Sequence, residues 1–148
     1  MREIKFKDLK KEYQNLLNKA EKALKNSYSP YSNLLVGAAL LTKNNKIITG
    51  SNVENASYRL TICAEQAVVA RANALGERCF TTIAIIAKTK NGTGNRNIIF
   101  APCGACRQIL FEFSKISGID LEIITSSADK KKVLIAKISE LLPLAFTL

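Results

Sequence analysis

Histidine is absent from all 148 residues, and that absence excludes more chemistry than any single residue present. Without it there is no Ser-His or Cys-His nucleophile and no imidazole metal ligand, so a metal site here has only cysteine, carboxylate and water to draw on. Long hydrophobic runs are missing as well. Although 47% of the chain is hydrophobic, no apolar stretch reaches the roughly 18 residues needed to span a bilayer. The opening segment, MREIKFKDLKKEYQ, is charged from the outset and has neither the apolar core nor the small-residue cleavage site of a secretory signal. A soluble, cytoplasmic chain is therefore expected. No linker or internal repeat divides it, and residues 1–148 are enough for one domain with a real core and few for two. Acidic residues are scarce, 12 against 22 Lys and Arg, and the resulting net charge of +10 raises the question of nucleic acid. The lysines are spread from Lys5 to Lys25 and gathered at Lys130, Lys131 and Lys132, without the interleaved aromatics of a single-strand platform, so a solvated basic surface is the expectation.

What is present has clear periodicity. Leu9, Tyr13, Leu16, Leu17, Ala20 and Leu24 recur at helical spacing, which predicts an amphipathic helix over about residues 7–26, ended by Ser29-Pro30. Leu34 to Thr42 and Ile47 to Gly50 are short apolar runs around Lys43-Asn44-Asn45-Lys46, a pattern that predicts a hairpin. Thr61 to Leu75 reads as a helix with Gly76 as its C-cap, and Thr81 to Ala87, rich in β-branched residues, as a strand. Residues 91–97 read as a loop. Cys103 to Phe113 is predicted helical and Leu121 to Thr125 extended, while Val133 to Ile138 is ambiguous between the two states and leans to strand. The order α-β-β-α-β-α-β-β implies a mixed sheet with helices on its faces.

Four cysteines in a reducing compartment point to metal or catalysis rather than to structural disulfides. The C-x-x-C of PCGACRQIL suits a redox couple, a structural clip or part of a metal site, and its spacing alone does not choose between them. Cys63 opens one predicted helix and Cys103 and Cys106 another. Both helix N-termini offer free N–H groups and a positive dipole end, which favour thiolates, and three thiolates at two helix starts can converge on one ion. Three protein ligands would leave a zinc ion an open position for water, the catalytic pattern. Glu65, two residues after Cys63, would then reach that water without ligating the metal; on its own it reads rather as an acid complementing a helix N-terminus, and the Pro102-Cys103-x-x-Cys106 segment tips the reading. Cys79, between Glu77-Arg78 and an apolar strand, reads as an inert, largely buried thiol.

Cys63-Ala64-Glu65 with Pro102-Cys103-Gly104-Ala105-Cys106 resembles the signature of the zinc-dependent nucleobase deaminases, in the form where cysteine replaces the histidine ligand. SPYSNLLVGAALL, TGSNVENASY, TICAE, PCGACRQIL and ELLPLAF are similar, in order and over most of residues 28–146, to segments of the small homotetrameric cytidine deaminases. The resemblance implies an α/β three-layer sandwich, a five-strand mixed sheet with helices on both faces, and makes Val133 to Ile138 a strand. It implies one zinc per subunit on Cys63, Cys103 and Cys106, with Glu65 as the proton shuttle for attack of zinc-activated water on C4 of cytosine, in pyrimidine salvage. Asn52 and Glu54, two apart in an extended segment and so on one side of it, match the ribose-binding pair, and Ala64, Tyr58, Leu34 and Phe146 match further substrate-binding positions. The chain departs from the family at Leu34, where an aromatic residue is usual, and at Gln66, where arginine usually donates to the thiolates, so Gln66 is expected to tune the metal as a neutral donor. Phe146 matches the residue that stacks on a neighbouring subunit's pyrimidine, with plain interface packing as its alternative reading. The implied assembly is a homotetramer whose sites neighbouring subunits complete. A deaminase of another cytosine-bearing nucleoside, such as an aminoacylnucleoside antibiotic, and an RNA-binding or RNA-editing protein are the rival readings.

Overall fold

The computed structural model of the chain describes residues 1–90 and 98–148; the loop expected over residues 91–97 lies outside them. The first long element is helix α1, Lys11–Ala23, whose buried Leu16, Leu17, Ala20 and Ala23 form the predicted stripe. It begins at Lys11 rather than near residue 7. Leu9 is extended and Lys10 non-helical, after a separate 3-10 turn over Phe6–Asp8. The Gln14 amide donates to the Leu9 carbonyl at 3.0 Å, so Leu9 reaches the core from outside the helix and keeps a backbone partner. Strands β2, Leu34–Thr42, and β3, Ile47–Ser51, form the expected hairpin, with Gly37 opposite Ser51 and Leu41 opposite Ile47.

Helix α2, Ala64–Ala74, also starts later than its periodicity suggests. Val53 and Ile62 exchange both backbone hydrogen bonds at 2.9 Å, which holds the chain extended until Cys63 can cap the helix. Beyond its end, Gly76 takes the left-handed conformation, φ 79°. Strand β4, Phe80–Thr89, is followed by α3, Gly104–Ser117, then β5, Glu122–Ser126, β6, Val133–Lys137, and the short α4, Ile138–Leu141.

The mixed sheet has six strands where five were expected. The addition is β1, Arg2–Ile4, antiparallel to β6 with Arg2 opposite Ile135 and Ile4 opposite Val133. Written from that edge the order is β1-β6-β5-β4-β2-β3, antiparallel throughout except for the parallel pair β4 and β5. Helix α3 is the crossover between those two, which starts it over the carboxyl end of β4.

Both faces of the sheet are covered. Ile83 and Ile85 of β4 face α2 and α3, joining Val68, Ala72 and Leu110, whereas Ala84 and Ile86 face α1, joining Leu16, Leu17 and Ala20. A strand buried on both sides needs apolar residues at every position, which accounts for the unbroken run in β4. The layers approach closely at two glycines. A Cβ on Gly37 would lie 2.1 Å from the Ala20 carbonyl oxygen of α1, and one on Gly50 would lie 2.7 Å from the Val68 nitrogen of α2. No helix among the described residues is long and apolar enough to cross a membrane.

Candidate metal centre and substrate cleft

Cys63 and Cys103 are the N-cap residues of α2 and α3, both in extended conformation, and Cys106 lies in the first turn of α3. The two helix N-termini thus deliver three sulfurs to one point, all within 4.8 Å of one another, with Cys103 and Cys106 Sγ 3.5 Å apart. In a tetrahedral site with Zn–S near 2.3 Å, thiolate sulfurs stand about 3.8 Å apart, so the spacing and the donor type fit zinc and leave a fourth position free. Cys106 is buried, Cys63 half-buried and Cys103 exposed.

The thiols share protons unequally. A hydrogen bond from Cys106 draws the Cys63 thiol down to about 7. That same bond, with burial and the nearby charge of Glu65, pushes Cys106 up. Three thiolates so close are disfavoured without a cation, and a divalent ion reverses that balance. Two contacts hold the frame. The Gln66 side-chain oxygen accepts the Cys63 N–H at 3.1 Å, so this end of the amide is engaged with backbone rather than with sulfur. Arg107 donates to the Pro102 carbonyl at 2.8 Å and to the Leu141 carbonyl at 3.0 Å, fastening the start of α3 to α4.

Glu65, the second residue of α2, is only 5% exposed. Burial raises its carboxyl above the ordinary carboxylate range, against the opposing pull of its own backbone N–H and of Cys106. A carboxyl whose charged form is penalised in this way holds a proton more readily than a free one, which suits it to take and return one. In front of it opens a cleft of about 240 Å³. Its walls are Leu34, Val36, Ile85 and Phe100, its base is Cys63, Ala64, Glu65 and Cys103, and its polar rim includes Ser32, Asn52 and Glu54.

The fold therefore brings together seven of the residues singled out from sequence: Leu34, Asn52, Glu54, Cys63, Ala64, Glu65 and Cys103. Cys106 completes the sulfur group behind them. Tyr58 and Phe146 do not line the cleft. Tyr58 is 75% exposed and packs edge-on against Tyr31 with ring centres 6.0 Å apart. Phe146 is 69% exposed, its backbone held by the Gln108 side chain through bonds of 2.9 and 3.1 Å. Cys79 is half-buried rather than largely buried, because the adjacent Phe80 takes the core position.

Asn52, 7% exposed, has most of its amide committed to the fold: Oδ1 accepts from the Val36 N–H at 2.9 Å and from the Ser27 hydroxyl, and Nδ2 donates to the Leu34 carbonyl at 2.9 Å. One N–H is left for a ligand. Phe100 and Ser32 were not anticipated from sequence. The run Ile98 to Phe100 just ahead of Pro102 was the available sign of an apolar wall.

Residues 10–119 match the cytidine and deoxycytidylate deaminase zinc-binding region. The chain is 40% identical over 136 residues to a cytidine deaminase of Halalkalibacterium halodurans, covering 90% of this chain and 93% of that protein. It is 35% identical over 134 residues to a cytidine deaminase of Sporosarcina psychrophila, covering 90% of each. The crystal structure of cytidine deaminase from Burkholderia pseudomallei superposes with a TM-score of 0.78 at 39% identity, over 90% of this chain and 98% of that one.

Proposed function

The chain belongs to the cytidine and deoxycytidylate deaminase family, and from that premise we propose that it hydrolyses cytidine and deoxycytidine to uridine and deoxyuridine with release of ammonia. The observation that carries the reading is a buried carboxyl, Glu65, beside three converging sulfurs at the base of a small cleft. Cys63, Cys103 and Cys106 would hold the zinc. When bound, the metal lowers the pKa of a water ligand from about 15.7 towards about 7. Glu65 takes the proton from the attacking water, delivers it to N3 of the ring, and later assists departure of the amino group as ammonia. Leu34, Val36, Ile85 and Phe100 pack on the heterocycle and exclude bulk water, while Asn52 and Glu54 hold the sugar. Gln66 acts on the metal through the Cys63 backbone that it grips.

The assembly in this reading is a homotetramer of single-domain chains in the cytoplasm, where thiol ligands stay reduced. Its support is the apolar surface around the cleft, with Tyr28, Tyr31, Val53, Tyr58, Leu60 and Ile62 all exposed, and the exposed Leu144 and Phe146 of the tail. Tyr58 and Phe146 serve the substrate site from these contact surfaces, and the lysines remain solvated rather than binding nucleic acid. Ultraviolet absorbance of zinc-loaded protein should change on adding cytidine or deoxycytidine and stay constant with adenosine; constancy with all three would overturn the assignment.

A further inference from the structure

Glu54 stands at the rim of the cleft, partly open to solvent, yet its carboxylate is held on two sides. The Tyr31 N–H donates to Oε2 at 2.9 Å and the Ser32 N–H to the same oxygen at 3.3 Å, while the Ser32 hydroxyl donates to Oε1. The sense of that last bond is fixed by the ionised carboxylate, which has no proton to give. The Leu34 N–H donates to Ser32 Oγ at 3.0 Å, which occupies a lone pair and leaves the single hydroxyl proton for Glu54. Asn33, between these residues, closes the turn in the left-handed conformation at φ 58°, which asparagine tolerates. Its carbonyl accepts from the Lys90 N–H at 2.8 Å, tying the turn to the end of β4.

Resting on the nucleoside reading above, we infer that Ser32 is a positioning residue for sugar recognition: its polarised hydroxyl aims the Glu54 carboxylate so that it accepts from a ring hydroxyl of the nucleoside sugar, opposite the free N–H of Asn52. Ser32 has no part in proton transfer at the base. The bond from Ser32, followed by the two backbone N–H groups, also keeps the Glu54 carboxyl below the ordinary carboxylate range, so the acceptor stays ionised under mildly acidic conditions. The remaining lone pairs of Glu54 and the single remaining N–H of Asn52 give one acceptor and one donor, the pair that one alcohol group satisfies.

The test compares ligands with and without the 2′- and 3′-hydroxyls in the wild type, Ser32→Ala and Ser32→Thr. Loss of a hydrogen bond to a charged group should raise KM for cytidine about tenfold in Ser32→Ala. The kcat should stay within about threefold, and KM for 2′,3′-dideoxycytidine within about twofold, since that substrate keeps only its 5′-hydroxyl and has no ring hydroxyl for Glu54 to accept from. Ser32→Thr should restore cytidine. Carbon-detected titration should show Glu54 protonating at higher pH in Ser32→Ala and not in Ser32→Thr. Calorimetry with uridine and 2′,3′-dideoxyuridine reads the same discrimination without turnover. A wild type that deaminates neither nucleoside counts against the proposed activity, and calorimetry then decides the role of Ser32. Equal losses for both members of a ligand pair, or an unchanged uridine affinity in Ser32→Ala, would overturn it.

Discussion

Glu65 owes its altered acidity to position: the second residue of α2 is buried against the sulfur group, and its charged form gains only partial compensation from the helix N-terminus. Glu65→Gln keeps shape and removes the proposed proton shuttle, so it should retain about one zinc per chain while deamination falls by about 10²- to 10⁴-fold. Metal analysis beside the absorbance assay checks this, and loss of zinc from the variant would make Glu65 a ligand or a structural residue. Alanine at Cys63, Cys103 or Cys106 should each abolish zinc binding, whereas Cys79→Ser should leave the stoichiometry unchanged; zinc retained by Cys63→Ala would refute the three-sulfur set. The sulfur group was legible at this scale because an unusual chemistry, cysteine at two helix starts with no histidine anywhere, leaves few alternatives. The duties of Asn52 were not. Its bonds to Leu34 and Val36 depend on how β2 and β3 pair, and nothing local to residue 52 announces them.

Among the elements, α1 and β2 meet where Gly37 leaves room for the backbone of Ala20. Gly37→Ala puts a Cβ against a carbonyl oxygen that has no free rotation, and should cost about 1–3 kcal/mol or prise the helix from the sheet, read by denaturant unfolding. Farther along, the Tyr13 hydroxyl of α1 donates to Glu122 of β5, which also pairs with Lys137 at 3.1 Å. Burial and then Glu122 push the Tyr13 phenol up to about 12. Its folded pKa thus exceeds its unfolded value of about 10, so this contribution is fully present below about pH 10 and is lost as pH rises through about 12. Tyr13→Phe should lower stability by about 1 kcal/mol at neutral pH and flatten that part of the alkaline limb relative to wild type. Periodicity located the long elements, but their ends and smallest members depend on tertiary partners. The late start of α2 follows from the Val53 and Ile62 pairing, and β1 is three residues of mostly charged sequence whose strand character exists only beside β6.

At the scale of the molecule, the metal centre joins α2 to α3, so ligand loss should be felt as stability. Zinc at about 100 times its Kd stabilises the folded state by about 2.7 kcal/mol relative to the metal-free chain, and chelation should therefore lower Tm by about 5–10 °C for a chain of this size. Scanning calorimetry with and without chelator checks this; an unchanged Tm would mean that the cluster does not couple to the fold. The proposed tetramer is tested by sedimentation, and Phe146→Ala should raise KM for cytidine in the assembled protein if the tail completes a neighbouring site. The surface that would bind such neighbours was only partly legible, since exposed Tyr58, Leu60 and Ile62 look in sequence like ordinary core residues. Cys63 precedes Cys103 and Cys106 by the whole of α2 and β4, and β4 acquires its parallel neighbour β5 only once α3 has been made. A chain leaving the ribosome therefore displays Cys63 before Cys103 and Cys106 exist, and the full set of three sulfurs is available only once the start of α3 has been made.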